Sequence, residues 1–152
     1  MAVEIWKPNV VVAAIAERDG KFLLVEEEIE SGQLVFNQPA GHWDPGETLV
    51  EACVRETLEE TAYDFKPTAL VGVFGWTPPG SDKTYLRFAF CGETGAHDSY
   101  RQLDKEIHRA VWLSVEEIRA CRSLHRSPLL MLCIERYLSG VRYPLDLISH
   151  YG

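Results

Sequence analysis

Apolar residues along the chain fall into short blocks separated by polar turns. Residues 10–16 (VVVAAIA) form an almost unbroken apolar run, and residues 21–25 (KFLLV) follow across Glu17-Arg18-Asp19-Gly20. Two runs of this length joined by Asp-Gly predict a β-hairpin. Glu26-Glu27-Glu28 then reads either as a solvated strand end or as an acidic group able to help bind metal. Residues 34–36 predict a short strand that breaks into a loop at Gln38-Pro39, where proline favours an edge or a strand end. Residues 69–77, 85–91 and 107–113 read as further strands, with Pro78-Pro79-Gly80 as a turn between the first two. Residues 92–105 hold few aliphatics and are expected to form a surface loop, with a lid as the functional alternative.

Helical spacing appears in three places. Asp44-Pro45-Gly46 is turn chemistry. Thr48 and Glu51 then have the spacing of a capping box, and residues 49–61 contain no Gly or Pro. At about 100° per residue, Val50, Val54, Thr57, Leu58 and Thr61 share an arc expected to pack, while Glu56, Glu59 and Glu60 gather on roughly the opposite arc. Ser114 and Glu117 repeat the capping-box spacing and open a short helix to about residue 121. Ser127-Pro128 starts a third, with Gly140 as its stop and an apolar face for the core or a dimer.

Strands before and after a central helix, with a C-terminal helix, predict an α/β (α+β) chain with a mixed sheet between helices. At 152 residues the chain has the size of one ordinary domain, 1–152, and 46% hydrophobic content supports a sizeable core. The net charge of −8 disfavours a nucleic-acid polymer or an anionic membrane as partner. Cys53, Cys91, Cys121 and Cys133 are irregularly spaced and read as reduced, buried small hydrophobes rather than a zinc site. With no signal-peptide pattern at the N-terminus and no apolar run of spanning length, the expected location is cytoplasmic.

Three carboxylates at i, i+3 and i+4 repel one another unless a cation joins them. Hard oxygen donors on a rigid element suit Mg²⁺ or Mn²⁺, and Arg55, between Glu51 and Glu59, is placed to orient a carboxylate. The competing reading is a solvated acidic face. The order Gly41, five residues, Glu47, seven residues, Arg55-Glu56, two residues, Glu59-Glu60 decides between them. It closely resembles the box of the Nudix family, hydrolases acting on a nucleoside diphosphate linked to another group. Three positions depart from the family pattern: Thr57 replaces an aliphatic, Ala62 the late glycine and Tyr63 the final aliphatic.

The resemblance implies a Nudix-type αβα sandwich and metal-assisted attack of water on a phosphorus of a small diphosphate-containing molecule. It implies metal ligation by Glu56, Glu59, Glu60 and the Gly41 carbonyl, with Glu47 and Arg55 orienting the ligands. Either Glu56 or Glu106, which precedes a Trp-containing strand, serves as the base. His42 and Arg87 are candidate substrate contacts; their alternatives are a loop cap and an ordinary face residue. Short segments such as 37–42, 86–88, 97–99, 126–129 and 142–145 are similar to the bacterial Nudix phosphatases acting on thiamine pyrophosphate, hydroxymethylpyrimidine pyrophosphate and nucleotides. A proline 15 or 16 positions after the box, met by Pro78 or Pro79, is a marker of the ADP-ribose branch, which stays open. Two other classes compete: a nucleotide-binding module without hydrolysis, and an isoprenoid-diphosphate isomerase, which requires a catalytic cysteine, with Cys53 the candidate. The expected assembly is a monomer or homodimer.

Overall fold

The computed structural model describes residues 2–152. The predicted hairpin forms from β1 (Asn9–Arg18) and β2 (Lys21–Glu28), paired antiparallel at Glu17↔Phe22 and Arg18↔Lys21. Its turn holds Asp19 at φ 52° and Gly20 at φ 76°, the left-handed pair that a tight hairpin turn requires. β2 also pairs with β3 (Leu34–Asn37) on one side and with β7 (Ile107–Ser114) on the other. β1 pairs in parallel with β6 (Tyr85–His97), which pairs antiparallel with β5 (Tyr63–Trp76). The sheet is therefore mixed, as expected.

Helix α1 (Leu49–Thr61) packs on one face of this sheet, over Val12, Ala14, Leu23, Leu70 and Phe90. Helix α3 (Leu129–Leu138), with α2 (Val115–Ala120), covers Ile15, Phe22, Leu24, Val71 and Phe74 on the other. Because both faces of β1 are covered, its inner residues need no alternation, which explains the unbroken apolar run.

The structure departs from the sequence reading in four ways. First, residues 40–42 are not loop but a short strand, β4 (Ala40–His42), paired with β1. Second, β5 begins directly after α1 and β6 runs on to His97, so much of the expected surface loop is strand. Their polar outer ends pair with each other across register shifts, hiding the strand pattern from residue type alone. Third, the packed arc of α1 is turned from the one expected. Leu49, Ala52, Cys53, Thr57, Glu60 and Thr61 are its buried residues, so Glu60 lies within the packed face instead of opposite it. Fourth, Glu27 does not sit in solvent; it is buried inside β2.

Ala62 ends α1 in the left-handed conformation at φ 63°, its N–H bonded to the Leu58 carbonyl at 2.9 Å. The position is one that favours glycine, and alanine is strained there. The tail is tied back to the body. Tyr143 and Leu70 exchange backbone hydrogen bonds at 2.8 and 2.9 Å, and His150 stacks edge-on to Trp43. His150 Nε2 also accepts from the Leu49 N–H at 3.4 Å, at the first turn of α1.

Candidate active site

The turn before α1 and the helix's first turns build an ionic scaffold around Arg55. Thr48 and Glu51 form the predicted capping box, which fixes the helix start. Arg55 then lies two turns in, where Nε donates to Glu47 Oε2 at 2.9 Å and Nη2 to Glu47 Oε1 at 2.7 Å. This two-point contact holds the guanidinium plane. Nη1 is thereby directed at Glu56 Oε1, 2.9 Å away, and Glu59 Oε2, 3.3 Å away, while Nη2 also donates to the His42 carbonyl at 3.0 Å. The Arg55 hydrogen bond holds the Glu47 carboxyl below the usual carboxylate range.

Glu56 and Glu60 lie on successive turns and face the 40–42 strand. A Cβ on Gly41 would fall on the Glu56 carboxyl group, so only glycine leaves room for that side chain. Glu60 Oε1 accepts from the Ala40 N–H at 2.9 Å. Asp104 arrives from the loop before β7, anchored by its N–H to the Glu59 carbonyl at 3.1 Å. One carboxylate oxygen from each of Glu56, Glu60 and Asp104 lies within 4.8 Å of the others.

Burial raises all three. Glu56 is pushed up to about 7, with Arg55 opposing and the charges of Glu59 and Asp104 adding to the rise. Glu60 is pushed up to about 9, with the Ala40 N–H opposing. Asp104 is raised by burial and by Glu59 and Glu106. Carboxyls crowded and buried together stay charged only if a cation joins them. Three oxygen donors of this kind fit a hard divalent ion.

These residues line a cleft of about 850 Å³, which also takes in Gly41, His42, Asp44, Glu106 and Arg87. Glu106 is exposed on its rim, and its carbonyl accepts from the Glu28 N–H at 2.9 Å. The His42 side chain is exposed. Arg87 is buried, donating to Gln38 Oε1 at 2.6 Å and Asn37 Oδ1 at 3.4 Å. Glu59 lies beside Arg55 and is not one of the three converging carboxylates. Asp104 was not singled out by the sequence; a lone loop aspartate two positions before Glu106 has no spacing that marks it. Cys53 packs among Val12, Leu49 and Phe90 in the core, away from the cleft, which removes the support for isomerase chemistry.

Residues 6–132 match the family model described as the NUDIX domain. The chain belongs to the Nudix family. It is 43% identical over 148 residues to Phosphatase NudJ of Escherichia coli, covering 97% of this chain and 94% of that one. Among solved structures, a NUDIX hydrolase from Nitrosomonas europaea is 51% identical, with a TM-score of 0.94 over 95% of this chain and 98% of that chain. A UDP-X diphosphatase at 20% identity and a TM-score of 0.74, over 93% of this chain and 68% of that one, shares the fold. The mixed sheet between helices is thus the Nudix fold, and the chain is a Nudix hydrolase. Among the described residues, no helix is long and apolar enough to cross a membrane.

Proposed function

We propose that this Nudix hydrolase cleaves a small diphosphate-containing molecule with the help of a divalent cation, Mg²⁺ or Mn²⁺. The observation that carries the reading is the convergence of Glu56, Glu60 and Asp104 in one cleft, with Glu60 buried. Those three would hold the cation, and Glu59 and the Gly41 carbonyl are the further oxygens proposed for it. When bound, such an ion offsets phosphate charge and lowers the pKa of a water.

The chain's own residues do the rest. Glu47 fixes Arg55, and Arg55 fixes the Glu56 carboxylate, so the donors are oriented before substrate arrives. Glu56 is committed to Arg55 and to the space left by Gly41, whereas Glu106 stands exposed on the rim. We therefore assign the proton-accepting role to Glu106 and a ligand role to Glu56. His42 and Arg87 are proposed to contact the substrate, Arg87 from the cleft wall. The protein is proposed to act in the cytoplasm, as a monomer or homodimer, on small molecules rather than nucleic-acid polymers.

The test is phosphate release with Mg²⁺ from thiamine pyrophosphate, nucleoside di- and triphosphates and ADP-ribose, with the products identified. Turnover of at least one and loss of it on chelation are expected. Turnover that persists in chelator would refute the metal dependence. Cleavage confined to ADP-ribose would place the chain in that branch of the family.

A further inference from the structure

The strand order of the sheet ends at β5, and its outer side is covered at one point, where Leu70 exchanges bonds with Tyr143 of the tail. Beyond a register shift, Gly72 to Trp76 pair regularly with Ala89 to Tyr85 of β6, and among the described residues no strand pairs with them on the other side. Unpaired edges recruit further strands, and other margins of this sheet are guarded. β3 is four residues long, β4 three, and β7 carries His108 and Arg109. Residues 71–76 (VGVFGW), in contrast, hold no charge and no proline. Val73 is 44% exposed, and a Cβ on Gly75 would meet nothing within 4 Å. This is an open apolar template for strand addition.

A matching segment precedes β1. Val3, Ile5 and Trp6 are 87%, 75% and 64% exposed, so this arm stands clear of its own chain. Three large apolar side chains in water call for a surface to cover, and Val, Ile and Trp favour strand. The arm springs from Asn9, which pairs with Tyr85, and Tyr85 pairs with Trp76 at the end of the open edge. Two strand spacings, about 10 Å, separate its base from that edge. To pair with β5 of its own chain the arm has to reverse direction within the residues that bridge this gap, which leaves few to pair. An arm from a second copy has no such constraint. Charge agrees with this: Arg136 of α3 lies over the Phe74 ring at 4.4 Å, in space that Gly72 leaves free, and among the described residues no carboxylate pairs with it. Glu4 is the acid of the arm.

We propose that two copies of this chain exchange arms, residues 3–6 of each adding a strand to the 71–76 edge of the other, with Glu4 facing Arg136. The contact is the same on both copies and closes on itself, so assembly stops at the dimer. It selects the homodimer of the two assemblies proposed above and is independent of the diphosphate reading. Trp76 ends the edge and also lines the cleft, so the partner's arm stands beside the wall of the active site.

Light scattering after gel filtration, together with hydrogen exchange of the full chain, tests it. A doubled mass at about 100 µM that falls to a single chain on dilution is expected, as for a small, transient interface. Exchange over residues 71–76 and 3–6 should slow together as the dimer forms. Val73→Lys, and separately Ile5→Asp with Trp6→Asp, should each raise the dissociation constant at least about tenfold with an unchanged circular dichroism spectrum, since all three positions are exposed. Glu4→Arg should raise it by about threefold, and more at low salt than at high. A single chain at every concentration up to about 500 µM, or a dimer that either the edge or the arm variant leaves intact, would overturn the proposal. Protection of residues 71–76 that does not vary with concentration would overturn it as well, by showing that the chain's own arm covers the edge.

Discussion

Glu60→Gln separates the ion-binding role of the buried carboxyl from its structural one. The amide keeps an oxygen able to accept from the Ala40 N–H, a bond now made by Glu60 Oε1 at 2.9 Å, and removes the ability to ionise. In the metal-free protein the Glu60 carboxyl is raised from 4.5 to about 9 by burial. A raised carboxyl binds more protons when folded than when unfolded, so stability falls as pH rises between the two values. From pH 5 to pH 8 the loss is about 4 kcal/mol, or about 8–16 °C in melting temperature for a chain of this size. Glu56, raised to about 7, adds in the same direction over the lower part of that range. The variant lacks the Glu60 share, so its metal-free melting curve should decline less steeply with pH, and it should melt above the wild-type protein at pH 8. Mg²⁺ reverses the order. At about 100 times its dissociation constant a ligand stabilises by about 2.7 kcal/mol, or about 5–10 °C, which the variant should largely forfeit. The assay is thermal melting from pH 5 to 8, with chelator or with Mg²⁺. Parallel pH profiles for the two proteins, or an equal Mg²⁺ shift in both, would refute the reasoning.

Other expectations concern the same scaffold. Arg55→Ala should cut kcat at least about tenfold and lower stability by about 1 kcal/mol, since the network it holds is partly exposed; unchanged values of both would remove its orienting role. Gly41→Ala should displace the Glu56 carboxyl and raise the Mg²⁺ concentration for half-maximal activity by about tenfold or more, measured by metal titration. Asp104→Asn should weaken the same Mg²⁺ response with the fold intact by circular dichroism, and a wild-type titration curve would exclude it from the ion site. Cys53→Ala should retain activity and lose only stability, about 1 kcal/mol, because its thiol packs in the core.

The hairpin, the capping boxes and the box helix could be read from sequence because each rests on local chemistry: Asp19-Gly20 for the turn, Thr48 with Glu51 and Ser114 with Glu117 for the caps. The Arg55 scaffold was legible for a different reason, a fixed spacing shared with the Nudix family. What stayed hidden depends on tertiary contact. Glu60 belongs to the packed face of α1 because the short 40–42 strand offers it a backbone N–H, and helical periodicity counts any glutamate as solvent-facing. Asp104 joins Glu56 and Glu60 only through the fold of a loop. Glu27 resembles its exposed neighbours in composition, and only tertiary packing on the cleft side of β2, against Arg126, takes its side chain out of water. The full lengths of β5 and β6 were missed because residues 92–97 carry polar and glycine residues that satisfy their ladder by pairing, not by burial.

The C-terminal tail reaches back to the start of α1. His150 stands 101 positions from Leu49 yet accepts a bond from its N–H, and Tyr143 is stitched to the far edge of β5. Limited proteolysis near residue 141 would therefore do more than trim a loose end. It would unclasp the start of the helix that carries the ion-binding side chains, and catalytic output would register whether the clasp was shut.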